Sequence, residues 1–161
     1  AITSVVCSII ARQKGNYMHL TRHTDYGMRI LIYLALLPAG EKASIDKISS
    51  LYDISRNNVN KIVHQLGKAN IIETQRGKGG GFFLKLPPEA INIADIVILL
   101  ESTLNIVDCE TQKCLILPAC KFKQILNEAT SAFIDSLQAY TLADLTTDSP
   151  EGLIQLFKLS E

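Results

Sequence analysis

The sequence predicts a mainly α-helical chain with a small β-wing: a winged helix-turn-helix domain followed by a long dimerisation helix. Two short amphipathic helical stretches stand in tandem around the bend Asp53-Ile54-Ser55. Two short strand-like runs flank the glycine-rich turn Arg76-Gly77-Lys78-Gly79-Gly80-Gly81. From Phe122 to Tyr140, apolar residues recur at three- and four-residue steps. That stripe is wide enough to bury one side in its own domain and another in a second chain.

Composition frames these elements. A chain of 161 residues can build one good core, or a small domain plus an oligomerising extension. Apolar residues make up 47% and charged residues 20%, which leaves apolar surface to hide against a partner chain. No run of about 18 apolar residues occurs, so no membrane span is expected. The net charge of zero conceals an asymmetry. Residues 18–86 hold 10 Lys+Arg against 5 Asp+Glu, a net of +5; residues 87–161 hold 4 against 11, a net of −7; residues 1–17 add +2. A basic half is an electrostatic footprint for a polyanion, with a solvated surface as the plain alternative. The expected organisation is an upstream extension over 1–17, a DNA-binding domain over 18–86, and a cofactor loop with the dimerisation region over 87–161.

Within residues 1–17, Arg12 and Lys14 follow the apolar run Ile2 to Ala11 instead of preceding it, which argues against a signal peptide. A cloning remnant or translated upstream sequence fits better, with the natural start at Met18. From Thr24, the residues Tyr26, Ile30, Leu31, Leu34 and Leu37 predict a helix, capped by Thr24 or Asp25 and stopped at Pro38-Ala39-Gly40. The next helix starts at Ser44, with Ile45, Ile48 and Tyr52 inward. Another starts at Ser55, with Val59, Ile62, Val63 and Leu66 inward. Its other face carries Arg56, Asn57, Asn60, Lys61 and His64, with Asn58 and Gln65 at the margins. Such side chains pair with guanine, adenine and phosphate oxygens in a major groove. Any solvent-facing helix resembles this face, and what raises the DNA reading is the sequel. Ile71 to Thr74 and Phe82 to Leu86 read as two antiparallel strands, a wing whose tip carries Arg76 and Lys78 among glycines that allow close approach to a phosphate backbone. A nucleotide-binding loop is excluded, because no G-x4-G-K-[ST] occurs and no helix follows the glycines. No catalytic nucleophile and base constellation is present, so an enzyme is not expected.

Pro87-Pro88 opens the acidic half. Asn92 is placed to cap a helix through Leu100, and the long helix runs from Pro118 or Ala119 toward Tyr140. Leu153, Ile154, Leu156, Phe157 and Leu159 form a short tail expected to pack on the same region. Between the helices stand Cys109, Cys114 and Cys120, three thiols within twelve residues at C-x4-C-x5-C spacing. Thiolates are soft ligands that select iron-sulfur clusters, zinc or cuprous copper. Structural zinc prefers paired C-x2-4-C knuckles, which are absent here, so a cluster fits better than zinc. Ordinary cytosolic cysteines, or a disulfide-forming pair, are the bland alternatives. Clustered cysteines of this kind suit a reducing cytoplasm rather than a secreted framework.

Several stretches form an ordered set: Met18-His19-Leu20-Thr21, Thr24-Asp25-Tyr26-Gly27-Met28-Arg29, Ser55-Arg56-Asn57 with Lys61-Ile62-Val63 and Leu66, the wing turn, the three cysteines, and Tyr140-Thr141-Leu142-Ala143-Asp144-Leu145. On that set, essentially the whole chain from Met18 resembles the NsrR/IscR superfamily of bacterial iron-sulfur winged-helix regulators, and within it the NsrR-type, nitric-oxide-sensing branch. IscR-like regulators of cluster biogenesis space their cysteines C-x5-C-x5-C with a histidine three residues after the last; here the first gap is four and that position is Lys123. The resemblance implies a homodimeric repressor on a two-fold double-stranded DNA operator. It implies a [4Fe-4S] cluster on Cys109, Cys114 and Cys120, completed by Asp25 of the other protomer, with His23 the local competitor and Arg29 close to the cluster. Nitric oxide is the implied signal. Alternatives are a [2Fe-2S] cluster, an IscR-like role, a cluster-free thiol or zinc regulator, and a metal-binding interaction protein. Phe83 is a departure, since the family wing often carries a basic residue there.

Overall fold

The computed structural model describes residues 19–109, 111, 114–147 and 150–158. The expected extension over 1–17, the start at Met18 and tail residue Leu159 lie outside the described residues.

Helix α1 (Arg22–Ala35) is capped by Thr21, whose hydroxyl accepts from the Thr24 amide at 3.4 Å. The cap therefore lies upstream of the expected Thr24 or Asp25. Thr24 is instead buried on the inner face with Gly27, Ile30, Leu31 and Leu34, and Asp25 sits in the first turn, where a carboxylate meets the positive end of the helix dipole. Ser44 and Ser55 cap α2 (Ile45–Tyr52) and α3 (Arg56–Lys68) as predicted, accepting from the amides of Lys47 and Asn58. Between them Asp53 adopts a left-handed conformation, φ 51°, which makes the sharp bend. Val59, Ile62, Val63 and Leu66 are all buried, as their spacing predicts.

Strands β1 (Ile72–Gln75) and β2 (Gly81–Leu84) pair antiparallel, with Ile72 opposite Leu84 and Gln75 opposite Gly81. The turn depends on positive φ at Gly77 (98°) and Gly79 (78°), which a side chain would strain. Ala43 pairs with Phe82 on the far side of β2 through two 2.9 Å backbone bonds, so the wing is anchored to the start of the helix-turn-helix.

After the turn at Pro88–Ala90 come α4 (Ile93–Leu100), capped by Asn92, and the long α5 (Lys121–Gln138). Helix α5 begins later than the expected Pro118 or Ala119, because Leu117–Ala119 form a separate 3-10 turn. The chain then returns. Ile93 N–H donates to Tyr140 O and Leu142 N–H to Ile91 O, and Leu142 is fully buried. Thr141 donates both its amide (2.7 Å) and its hydroxyl (2.9 Å) to Asp144, which starts the short α6 (Asp144–Thr147) and lowers the Asp144 carboxyl pKa. Helix α7 (Pro150–Lys158) corrects the expectation for the tail: Phe157 packs edge-on against Tyr33 of α1 and Tyr52 of α2, on the DNA-binding side of the fold.

One apolar core joins Ile30, Leu31, Ile48, Ile62, Leu66, Phe82, Ile96, Leu100 and Leu142. Each such side chain contributes about 1.5–3 kcal/mol on burial. Helix α1 lies at its centre, packed on α3 and α4. By contrast α5, which packs on α4, buries no residue, and Phe122 and Ile125 stand 63% and 50% exposed. No helix among the described residues is long and apolar enough to cross a membrane.

Candidate nucleic-acid interface and cysteine loop

The cap at Ser55 and the buried stripe of α3 force its remaining side chains outward. Arg56, Asn57, Asn58, Asn60, Lys61 and His64 are all exposed on one helix. Arg56 pairs with Asp46 of α2, but both side chains are about two-thirds exposed, at 67% and 65%. Such a pair is screened by water and readily exchanged for a phosphate. Arg76 and Lys78 are exposed at the wing tip. Between α3 and the wing runs an open cleft of about 650 Å³, lined among others by Asn60, His64, Lys68, Asn70 and Lys85. Lys85 donates to the Asn70 side chain at 2.9 Å. Sequence reasoning passed over Lys68, Asn70 and Lys85; the helix end and the strand pairing bring them beside the predicted set.

Gln65 corrects the sequence reading, which set it at the margin of the outer face. It is half-buried and turned inward, and its amide donates to the Leu99 carbonyl of α4 at 2.6 Å. A carbonyl can only accept, so the amide oxygen faces His23 of α1, 2.8 Å from Nε2, and that ring nitrogen carries the hydrogen. Nearby, Thr21 gives its amide (2.7 Å) and hydroxyl (3.1 Å) to Glu101 at the end of α4.

Two residues beyond His23, Asp25 is held bidentately by Arg29 one helical turn on, with Nη2 to Oδ2 at 2.8 Å and Nε to Oδ1 at 3.1 Å. The hydrogen bond to Asp25 raises the Arg29 pKa above its ordinary value. The Tyr52 hydroxyl donates to the Arg29 carbonyl at 3.2 Å, and burial pushes its pKa up to about 12 against a weaker opposing effect of the Arg29 charge.

The cysteine loop is built from successive tight turns. Cys114 N–H donates to Cys109 O at 3.3 Å, Leu117 N–H to Cys114 O at 3.1 Å, and Cys120 N–H to Leu117 O at 3.4 Å. Asp108 ties the loop entrance by accepting from the amide and hydroxyl of Thr111. Glu110, Gln112 and Lys113 lie outside the described residues. All three cysteines are free and half-buried. Cys120 caps α5, its sulfur accepting from the Lys123 amide at 3.4 Å. Its thiol therefore stands at the start of an 18-residue helix, one of three soft sulfur donors in the loop. The donor chemistry therefore fits a soft metal centre. Among the described residues no three His, Cys, Asp or Glu side chains are gathered into one ligating set, which holds for the three cysteines by themselves as well as for the cysteines with Asp25.

Comparison with known proteins spans both the interface and the cysteine loop. The Rrf2 family, described as an iron-dependent transcriptional regulator, matches residues 20–148. The chain is 42% identical over 149 residues to the HTH-type transcriptional regulator NsrR of Shouchella clausii, covering 89% of this chain and 99% of that protein. It is equally 42% identical over 145 residues to the NsrR of Halalkalibacterium halodurans, covering 88% and 99%. Among solved structures, the oxidized form of CymR from Staphylococcus aureus superposes with a TM-score of 0.63 at 27% identity, over 81% of this chain and 97% of that one.

Proposed function

Because the chain belongs to the Rrf2 family of transcriptional regulators, and to its NsrR-type branch, we propose that it represses transcription under the control of a [4Fe-4S] cluster that senses nitric oxide. It is a DNA-binding regulator and not an enzyme. What carries the sensing reading is the cysteine loop: three free thiols within twelve residues, the last capping a long helix. Cys109, Cys114 and Cys120 would hold the cluster and Asp25 of the other protomer would complete it. When bound, such a group supplies a corner with a hard oxygen ligand among soft ones, which a small diatomic can attack.

The chain's own residues do the rest. Ser55, Arg56, Asn57, Asn58, Asn60, Lys61 and His64 meet the major groove, and Arg76 and Lys78 the flanking phosphates. The exposed apolar face of α5 supports a homodimer, which sets two recognition helices against a two-fold operator in the cytoplasm. Residues 18–86 serve DNA, and residues 87–161 serve the cluster and the dimer. Without Asp25 as a ligand, the cysteine loop of one protomer would no longer be tied to α1 of the other, and operator affinity would fall.

The test is iron and acid-labile sulfide per chain on protein purified without oxygen, followed by operator binding before and after nitric oxide. About four of each per chain and a released operator are expected. Asp25→Ala should abolish the response, and an unchanged response would remove Asp25 from the mechanism. Colourless protein that still binds DNA would favour a thiol regulator, a second reading supported by the free, half-buried cysteines and the likeness to a protein described in an oxidized form.

A further inference from the structure

We propose that Gln65 is a positioning residue for operator recognition: it fixes the rotation of the recognition helix without touching DNA. The stripe Val59, Ile62, Val63 and Leu66 holds α3 by apolar contact, which is non-directional and tolerates small rotations. Hydrogen bonds are directional. Gln65 makes two, to two different helices, from one planar group: it accepts from His23 of α1 and donates to the Leu99 carbonyl of α4. Leu99 lies in the last turn of α4, where carbonyls lack a partner within the helix, so this bond satisfies a group that needs one. The frame is itself braced, because Glu101 beside Leu99 grips Thr21 at the start of α1. Gln65 adjoins His64 and lies one turn from Lys61, so its anchoring decides where those side chains point.

His23 precedes Asp25 by two residues, so the clasp also connects the helix carrying Asp25 to the recognition helix. That consequence rests on the sensing reading above; the positioning role does not.

To test it, the wild-type chain selects a duplex from random-sequence DNA. That duplex and an unrelated one of equal length are titrated with full-length wild type, Gln65→Leu, Gln65→Glu, His23→Ala and the double variant His23→Ala/Gln65→Leu, each cluster-loaded and cluster-free. Gln65→Glu keeps the size and the acceptor for His23 but, ionised, has no hydrogen for Leu99, and it guards against misfolding of the Leu variant. Both Gln65 variants should lose about tenfold or more on the selected duplex, the discrimination of one good bidentate base contact. They should change little on the unrelated duplex and keep the wild-type salt slope, since no phosphate contact is lost. The double variant should lose no more than Gln65→Leu alone. Equal weakening on both duplexes, a shallower salt slope, or wild-type selectivity in a folded variant would overturn the proposal. A wild-type chain indifferent to nitric oxide would sink the sensing reading only, because the Gln65 effect is a ratio between two duplexes that is read without nitric oxide.

Discussion

Gly27→Ala isolates the close approach on which the core of this fold depends. An alanine in a helix interior is worth about 1 kcal/mol over glycine when nothing stands in its way. At position 27 something does. A Cβ there would fall well inside contact distance of the Leu100 Cδ1 methyl and 3.6 Å from Ile62 Cγ2, against an optimal carbon separation of about 3.5–4.0 Å. Leu100 is only 4% exposed and has no solvent-filled space to swing into, so α1 and α4 must part or the leucine must leave its rotamer. Overpacking of this kind costs about 1–3 kcal/mol. The net expectation is a loss of about 0–2 kcal/mol, read as a lower urea midpoint at unchanged slope. Leu100→Ala alone should cost about 2–5 kcal/mol through the cavity it leaves. In the double variant the new methyl occupies part of that cavity, so the two losses should fall short of their sum by more than about 0.5 kcal/mol. A gain of the full alanine propensity in Gly27→Ala, or strict additivity with Leu100→Ala, would refute the geometry.

Three further expectations follow from other contacts. Lys61→Ala and Arg56→Ala should weaken binding to the selected duplex by more than to an unrelated one, leaving iron content unchanged; unaltered binding to both would place those side chains outside the interface. Phe157→Ala removes two edge-to-face contacts, at centroid distances of 5.3 Å to Tyr33 and 6.2 Å to Tyr52, and should destabilise by about 1–3 kcal/mol in urea titration. Tyr52 supplies a pH signature: its folded pKa, about 12, lies above the ordinary 10.0, so its contribution is fully present below pH 10 and is lost as pH rises through about 12. Stability measured across that window should therefore fall less for Tyr52→Phe than for wild type, and parallel curves would contradict the burial of the phenol.

Local chemistry made most of the fold legible. The caps at Ser44, Ser55 and Asn92, the buried stripe of α3 and the wing all follow from short-range signals that a single segment contains. The misjudged features all depend on what another segment offers. Thr24 resembles a cap in isolation, but Thr21 takes that role because Glu101, eighty residues away, holds its amide. Gln65 belongs by helical angle to the edge of the outer face, and only the orphan carbonyl of Leu99 and the ring of His23 draw it inward. Phe157 has the spacing of any amphipathic tail; Tyr33 and Tyr52 decide where it lands. In the candidate site, residue types pointed to DNA and to a soft metal, whereas the supporting side chains Asp46, Lys68 and Lys85 carry no motif of their own.

The position of Asp25 constrains how a signal could reach DNA. Its carboxylate is bound by Arg29 of the same helix, and with side chains 46% and 47% exposed that pair is worth at most about 1 kcal/mol. Exchanging Arg29 for a metal ion would therefore cost Asp25 little, and since both residues ride on α1 the exchange by itself does no work on the DNA-binding domain. Under the proposed ligation, what differs between the two states is whether the cysteine loop of the other protomer is tethered to α1. Only that differential contact can shift the equilibrium between arrangements of the dimer. Helix α1 then matters because it is not free to yield locally: Gly27 seats it against α4, Thr21 is gripped by Glu101, and His23 reaches the recognition helix through Gln65. A pull on its first turn must therefore move the recognition helix with it, or break one of those three contacts.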